Sequence, residues 1–188
     1  MSLTRTCRSF PSWVSHVRLT KRFYRNEDGA AAIEFGMVAL PFIAVMFAII
    51  QTALIFFGNQ ILETANADTA RLIMTGQAKT LDATTYKNSL CGRIKGLMTC
   101  EGVSIDVKNY PSFTDANITS PIDAQGNLAT GTFGFSPGAG GDIVVVRAMY
   151  QFPVFVPSLD IFDFQLTNMA GNKRLLVATA AFRNEPFK

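Results

Sequence analysis

Histidine is nearly missing from this 188-residue chain: His16 is the single one, and none follows residue 29. That removes Ser-His, Cys-His and His-metal chemistry from the main body. Charge is scarce too, at 16% of residues against 48% hydrophobic, with mean hydropathy +0.22. So apolar a chain is neither disordered nor a nucleic-acid coat. The formal charge of +3 gives no argument for nucleic acid either, because it is localised. Residues 1–29 carry Arg5, Arg8, Arg18, Lys21, Arg22 and Arg25 against Glu27 and Asp28, a net of +4, and the remainder is slightly acidic. The length suits one domain, or one with an appendage.

The longest gap in charge runs from Glu34 to Glu63, 28 residues without Asp, Glu, Lys or Arg. Apart from Gln51 and Thr52, the stretch Phe35 to Gly58 is apolar throughout. As a helix it would measure ~36 Å, enough to cross a ~30 Å hydrocarbon core with some tilt. Thirteen Phe, Ile, Leu or Val residues lie between Phe35 and Phe57. At ~0.3–0.6 kcal/mol each they favour insertion by roughly 4–8 kcal/mol before polar costs. A buried core helix is the alternative, but so long an uncharged run is rare in soluble domains. Six cations before the run and few charges soon after it place the N-terminal arm in the cytoplasm and send the rest outward. Ala65-Asn66-Ala67 has the form of a signal-peptidase site, yet the apolar run exceeds the 7–15 residues of a secretory signal. An uncleaved helix is expected.

Cysteine occurs three times. Cys7 lies in the arm, which leaves Cys91 and Cys100 as an even pair on the oxidising side. One continuous helix would hold their Cα atoms ~13.5 Å apart, beyond the ~7 Å limit for a disulfide. Either the two stay free, or they bond and the helix breaks between them, with Gly96 the expected place. A bridge would constrain the unfolded chain by roughly 2.5–3 kcal/mol. The C-x₈-C spacing is neither a redox nor a zinc pattern, and no cofactor is expected.

The junction before the apolar run is the most informative segment: Asn26-Glu27-Asp28-Gly29-Ala30-Ala31-Ala32-Ile33-Glu34-Phe35. A basic arm ends in glycine, small or apolar residues follow, and Glu-Phe opens the hydrophobic run. This resembles the cleavage motif of Flp/Tad-type prepilins, which a membrane aspartic peptidase cuts after glycine. The segment D-G-A-A-A-I-E-F-G-M-V-A-L-P and the ending A-T-A-A-F-R-N-E-P-F are similar to the TadE-like minor pseudopilins. The likeness is close over residues 26–58 and 176–187 and loose between them. The GFTLIE form of other type IV pilins is absent. The resemblance implies a leader, residues 1–29, removed by the prepilin peptidase between Gly29 and Ala30. Residues 30–58 would then be the transmembrane and assembly helix, with Glu34 and Phe35 read in assembly, and residues 59–188 a periplasmic domain. It also implies a structural subunit without enzymatic activity, acting in pilus biogenesis and surface adhesion. Its partners would be other pilins or pseudopilins, the inner-membrane assembly platform and the lipid bilayer.

Physical chemistry adds to that motif. A carboxylate in the first turn of an apolar helix is expensive unless it is interfacial, paired or protonated. The helix dipole offsets part of the cost. A cut after Gly29 would free an α-amino group on Ala30, four residues from Glu34. The two could meet within one chain or between chains; otherwise Glu34 is an interfacial anchor of an uncut helix. Pro41 cannot donate to the carbonyl of Met37, so a kink is expected there.

Beyond the membrane, Ile61, Leu62, Ala65, Thr69, Leu72 and Ile73 keep helical spacing, and Gly76 is a stop signal. Asp82 reads as the N-cap of a second helix with Tyr86, Leu90, Ile94 and Leu97 on one side. Strands are expected at Val103–Tyr110, Asp142–Phe152 and Leu175–Phe182, with a long loop or hairpin over 111–141. Residues 152–157 are broken by two prolines and suit an edge or connection. Phe152, Phe155, Phe162 and Phe164 are expected over the core, with any exposed subset a docking patch. Gly138–Asp142 lacks the lysine and helix of a phosphate loop. Asp160 and Asp163 suit a solvated turn, having no third ligand nearby, and Asn117-Ile118-Thr119 matches a glycosylation acceptor by chance. The sum is α+β: a long N-terminal helix leading into a small antiparallel head. The alternative function is an unprocessed bitopic membrane protein whose outer domain binds a ligand or partner.

Overall fold

A computed structural model describes residues 28–77, 82–116, 118–155, 158–159 and 164–186. The expectations placed on the basic arm, Cys7, His16, Asn117, Asp160, Phe162 and Asp163 fall outside those residues. The chain divides into two units between Met46 and Phe47. Helix α1 runs from Asp28 to Met74, and its residues 28–46 are what is described of the first unit.

The second unit starts with the rest of α1. Its buried residues are Ala48, Gln51, Ile55, Gly58, Leu62, Ala65, Asn66, Thr69, Ala70 and Ile73. They recur every three or four positions, so they form a single stripe along the helix. Gly76, at φ +76°, lies just past the end, where a left-handed residue closes a helix most cheaply when it has no Cβ. Helix α2, Ala83–Arg93, is capped by Asp82, whose carboxylate accepts from the Thr85 N–H at 2.9 Å. Hydrogen bonds from the Thr85 side chain and backbone hold that carboxyl below its ordinary pKa.

Tyr86, Leu90 and Ile94 are buried as their spacing requires. Leu97 is not helical, because α2 stops at Arg93 and the chain turns through Gly96 at φ +113°. That early break carries Cys100 back to Cys91, and the two form a disulfide with Cα atoms 5.3 Å apart.

Strands β1 (Val103–Tyr110), β2 (Ile143–Pro153) and β5 (Lys173–Arg183) make an antiparallel sheet in the order β1-β2-β5. Its register sets Val107 opposite Val146, and Tyr150 opposite both Val103 and Leu176. A short pair, β3 (Ser158–Leu159) with β4 (Phe164–Gln165), was not foreseen from sequence. β2 lies centrally because Ile-Val-Val-Val-Arg-Ala-Met-Tyr is dense in residues that favour a pleated, buried surface, and all eight are buried. One sheet face joins Val103, Ala148, Tyr150, Phe152, Leu176 and Ala178 in a core with Ile55, Leu62, Ala65 and Leu90 of the helices. A second cluster gathers Ala70, Ile73, Tyr86, Val107, Val144 and Val146. Tyr86 is fully buried with its hydroxyl unpartnered, and burial pushes its pKa well up, against a smaller downward pull from Arg93.

The loop over 111–141 is tied to the sheet by polar contacts. Asp106 and Arg147 are buried at 2% and 5% exposure. Arg147 Nη2 and Nε donate to Asp106 Oδ2 at 2.6 and 3.2 Å, and its Nη1 donates to the Thr119 carbonyl at 2.8 Å. The other Asp106 oxygen accepts from Gly134 N–H at 3.0 Å. Beside it Val107 and Phe135 form a parallel bridge, and the Phe135 ring lies 5.4 Å from that of Tyr86. The Gly138–Asp142 stretch is a turn closed by its own carboxylate, Asp142 Oδ2 accepting from Ala139 N–H at 2.8 Å. Asn184 braces the turn by donating to the carbonyls of Pro137 and Ala139.

A buried ion pair adds little net stability over an apolar pair, but leaving one member alone is costly. Among the described residues Arg147→Ala leaves the buried Asp106 only the Lys108 ammonium at 3.5 Å and the Gly134 N–H, and should lower the unfolding free energy by at most about 3–5 kcal/mol. The double change Asp106→Leu with Arg147→Met should lose less than the single one. Denaturant titration of the three proteins checks this.

Candidate functional site

No described residue from Gly29 to Phe47 is buried. The side chains there are apolar except for Glu34, and Phe35, at 75% exposure, is typical of them. A helix apolar on every face and uncovered on every face has no stable place in water. Gly29–Met74 is accordingly long and apolar enough to cross a membrane.

The junction residues occupy the start of this helix. Gly29 and Ala30 lie in its first turn, both exposed, and a Cβ added at Gly29 would meet nothing within 4 Å. The first turn is also where backbone N–H groups lack intrahelical partners, so opening it to an extended form costs few hydrogen bonds. Glu34 stands four residues after Ala30 on the same helix face. It is exposed and has no hydrogen bond or ion pair among the described residues. Pro41 is inside the helix and exposed.

Further along, of the two polar residues of the apolar run Gln51 is buried and Thr52 half-buried. Gln51 is 4% exposed, and its Oε1 accepts from the backbone N–H of Phe155 at 3.2 Å, while its Nε2 has no partner among the described residues. Thr52 donates back to the Ala48 carbonyl at 2.8 Å. Asn66, deeper in the stripe, donates to the Ala178 carbonyl of β5 at 3.2 Å. Gly58 lets the sheet approach: a Cβ there would come within 3.2 Å of Leu176 Cδ1 and Met98 Cε. Sequence reasoning missed Gln51, Gly58 and Asn66. The signal was present, since Gln51 and Gly58 sit at heptad-like spacing with Ala48, Ile55, Leu62 and Ala65, and Asn66 follows Leu62 by one helical turn.

Of the four phenylalanines expected over the core, Phe152 is buried, whereas Phe155 is 80% exposed. An open groove of about 680 Å³ lies between α1 and β5, lined by Thr52, Ile55, Phe56, Asn59, Arg174 and Leu176 among others. Among the described residues that line it there is no acid, thiol or histidine, and so no acid–base or nucleophilic pair. Among the described residues no three His, Cys, Asp or Glu side chains cluster as a metal site would require.

Overpacking separates the two stretches of the helix. Gly58→Leu should lower head stability by about 1–3 kcal/mol. Gly36→Leu should leave it unchanged, because a Cβ there meets nothing within 4 Å. Denaturation in detergent micelles, followed by the near-ultraviolet signal of the sheet aromatics, measures both.

No curated protein and no solved structure matches the chain. Residues 29–71, from the junction glycine through the buried stripe, match the family model described as TadE-like protein, so over its long helix the chain is TadE-like.

Proposed function

We propose that this protein is a minor pseudopilin of a Tad-type pilus, made as an inner-membrane precursor and cut after Gly29. The TadE-like match supports a Tad pilus-associated protein of a structural rather than enzymatic family. One observation carries the finer reading: Glu34, a carboxylate unpaired among the described residues, stands five residues after a glycine at the head of a helical stretch that no described residue covers. The family segment also begins at Gly29, which suits an arm that is discarded.

In this reading residues 1–29 stay in the cytoplasm until the prepilin peptidase removes them. Residues 30–58 hold the subunit in the bilayer and later bundle with other pilins, and residues 59–188 form the periplasmic domain. Cleavage gives Ala30 an α-amino group with a pKa near ~7.7–8.0, mostly protonated at neutral pH. In a bundle of apolar helices that cation and a neighbour's Glu34 each lack water, so pairing them removes two desolvation costs together and fixes axial register. The chain itself needs no cofactor for this role. Prepilin peptidase, other Tad pilins and the assembly platform are its partners, and the assembled pilus serves surface adhesion.

N-terminal sequencing of the membrane fraction tests processing. A start at Ala30-Ala31-Ala32-Ile33-Glu34 is expected, and Gly29→Arg should leave the arm attached. A retained arm in the wild type would instead support an unprocessed bitopic protein with a ligand-binding head. Glu34→Ala should preserve cleavage and insertion but abolish incorporation; wild-type amounts in sheared pili would refute the pairing role.

A further inference from the structure

We propose that the corner where β2 ends and β5 begins rests on the outer leaflet of the bilayer that holds α1. Phe155 lies among the acyl chains and Lys173 at the level of the phosphates. The inference depends on the reading that α1 crosses the membrane, and adds a second, separate membrane contact made by the head.

Depth is the first argument. The Phe155 N–H is bonded to Gln51, seven residues inside the Gly58 end of the apolar run and twelve before Glu63. At 1.5 Å per residue, the loop meets the helix ~10 Å inside that run. On either side of Gln51 the exposed helix surface is still hydrocarbon: Ile49, Ile50, Phe56 and Phe57 are all uncovered. Of the two polar side chains at this level, Gln51 is buried and Thr52, half-buried, is bonded back to its own helix. A lipid surface surrounding those four residues also surrounds the loop bonded between them.

The second argument is the loop's backbone. Pro153 has no N–H, Val154 donates to the Asn172 carbonyl at 3.0 Å, and Phe155 donates to Gln51. Every N–H of the three residues is therefore either absent or satisfied within the protein, which meets the donor half of the condition for placing irregular backbone at membrane depth. A loop exposed to water would be under no such constraint.

Side-chain order is the third. Val154 is buried and anchors the loop, while Phe155 is left almost fully uncovered. Opposite Pro153 in the register stands Lys173, exposed, its ammonium donating to Gln151 Oε1 at 3.0 Å. An aromatic ring beside a lysine on a long stem is the arrangement that holds a protein at the boundary of acyl chains and anionic head groups.

Tryptophan quenching tests the placement. Trp13 is the chain's one tryptophan, so Trp13→Phe gives a silent background into which Phe155→Trp or Phe42→Trp is introduced. The full chain is reconstituted in vesicles of phosphatidylethanolamine and phosphatidylglycerol with brominated acyl chains. Both reporters should lose more than half their emission to brominated lipid. The reporter at 155 should respond more to bromines near the head group than to bromines near the chain ends. Quenching at 42 but not at 155, with the latter open to aqueous iodide, would overturn this inference and leave the membrane reading standing. If neither reporter responds to lipid, both fall together.

Discussion

One helix in this protein presents two kinds of surface along its length. Over residues 29–47 α1 is uncovered all round, which is tolerable only where the surroundings are themselves apolar. From Ala48 onward a single stripe is buried and the opposite face is left open. The change is gradual, because the exposed face stays hydrophobic as far as Phe57 while the buried face has already begun to take on the head. The rest of the architecture follows from this constraint. A sheet must supply the cover for the stripe, a glycine must let it approach, and polar groups within the apolar run must find partners inside the protein. Thr52 does so through the Ala48 carbonyl, and Gln51 through its Oε1, which accepts from Phe155 N–H, while its Nε2 is left unpaired among the described residues.

Much of this was legible in the residues alone, for physical reasons that differ from element to element. The uncharged run identified the helix because a gap in charge of that length has few other uses. β1 was read to its ends, since Val103, Ile105 and Val107 alternate with polar residues and the strand is amphipathic. β2 is shifted by one residue from the expected Asp142–Phe152, and β5 is longer than expected by two residues at its start and one at its end, because ladder pairing continues past the last branched side chain. Helix α2 was over-extended to Leu97. Its apolar spacing persists beyond Arg93, but the turn and the disulfide end the helix first. The β3–β4 pair spans two residues per strand, too short for any periodicity to register.

The candidate site divides along the same line. Gly29, Ala30, Glu34 and Phe35 form a local string and could be read as one. Gln51, Gly58 and Asn66 act through residues about a hundred positions away: Phe155, Leu176 and Ala178. Nothing local distinguishes a glutamine that will accept a loop amide from one that merely interrupts an apolar run. The Asp106–Arg147 pair is similar. Asp106 occupies a strand position that alternation assigns to a polar face, whereas Arg147 interrupts the apolar Val145 and Met149, and the register with the loop folded over them makes the two buried partners.

The strand order β1-β2-β5 also governs when the head can close as the chain is made from its N-terminus. β1 and β2 emerge well before β5, yet half of the hydrogen bonding of β2 and one wall of the main core belong to β5. Until Lys173–Arg183 has been made, the central strand presents a naked edge, and the stripe on α1 has no lasting cover. The sheet therefore stays incomplete until nearly the whole chain is present, and closes last. Glu185 then latches the closing strand to the carbonyl of Met74, where α1 stops.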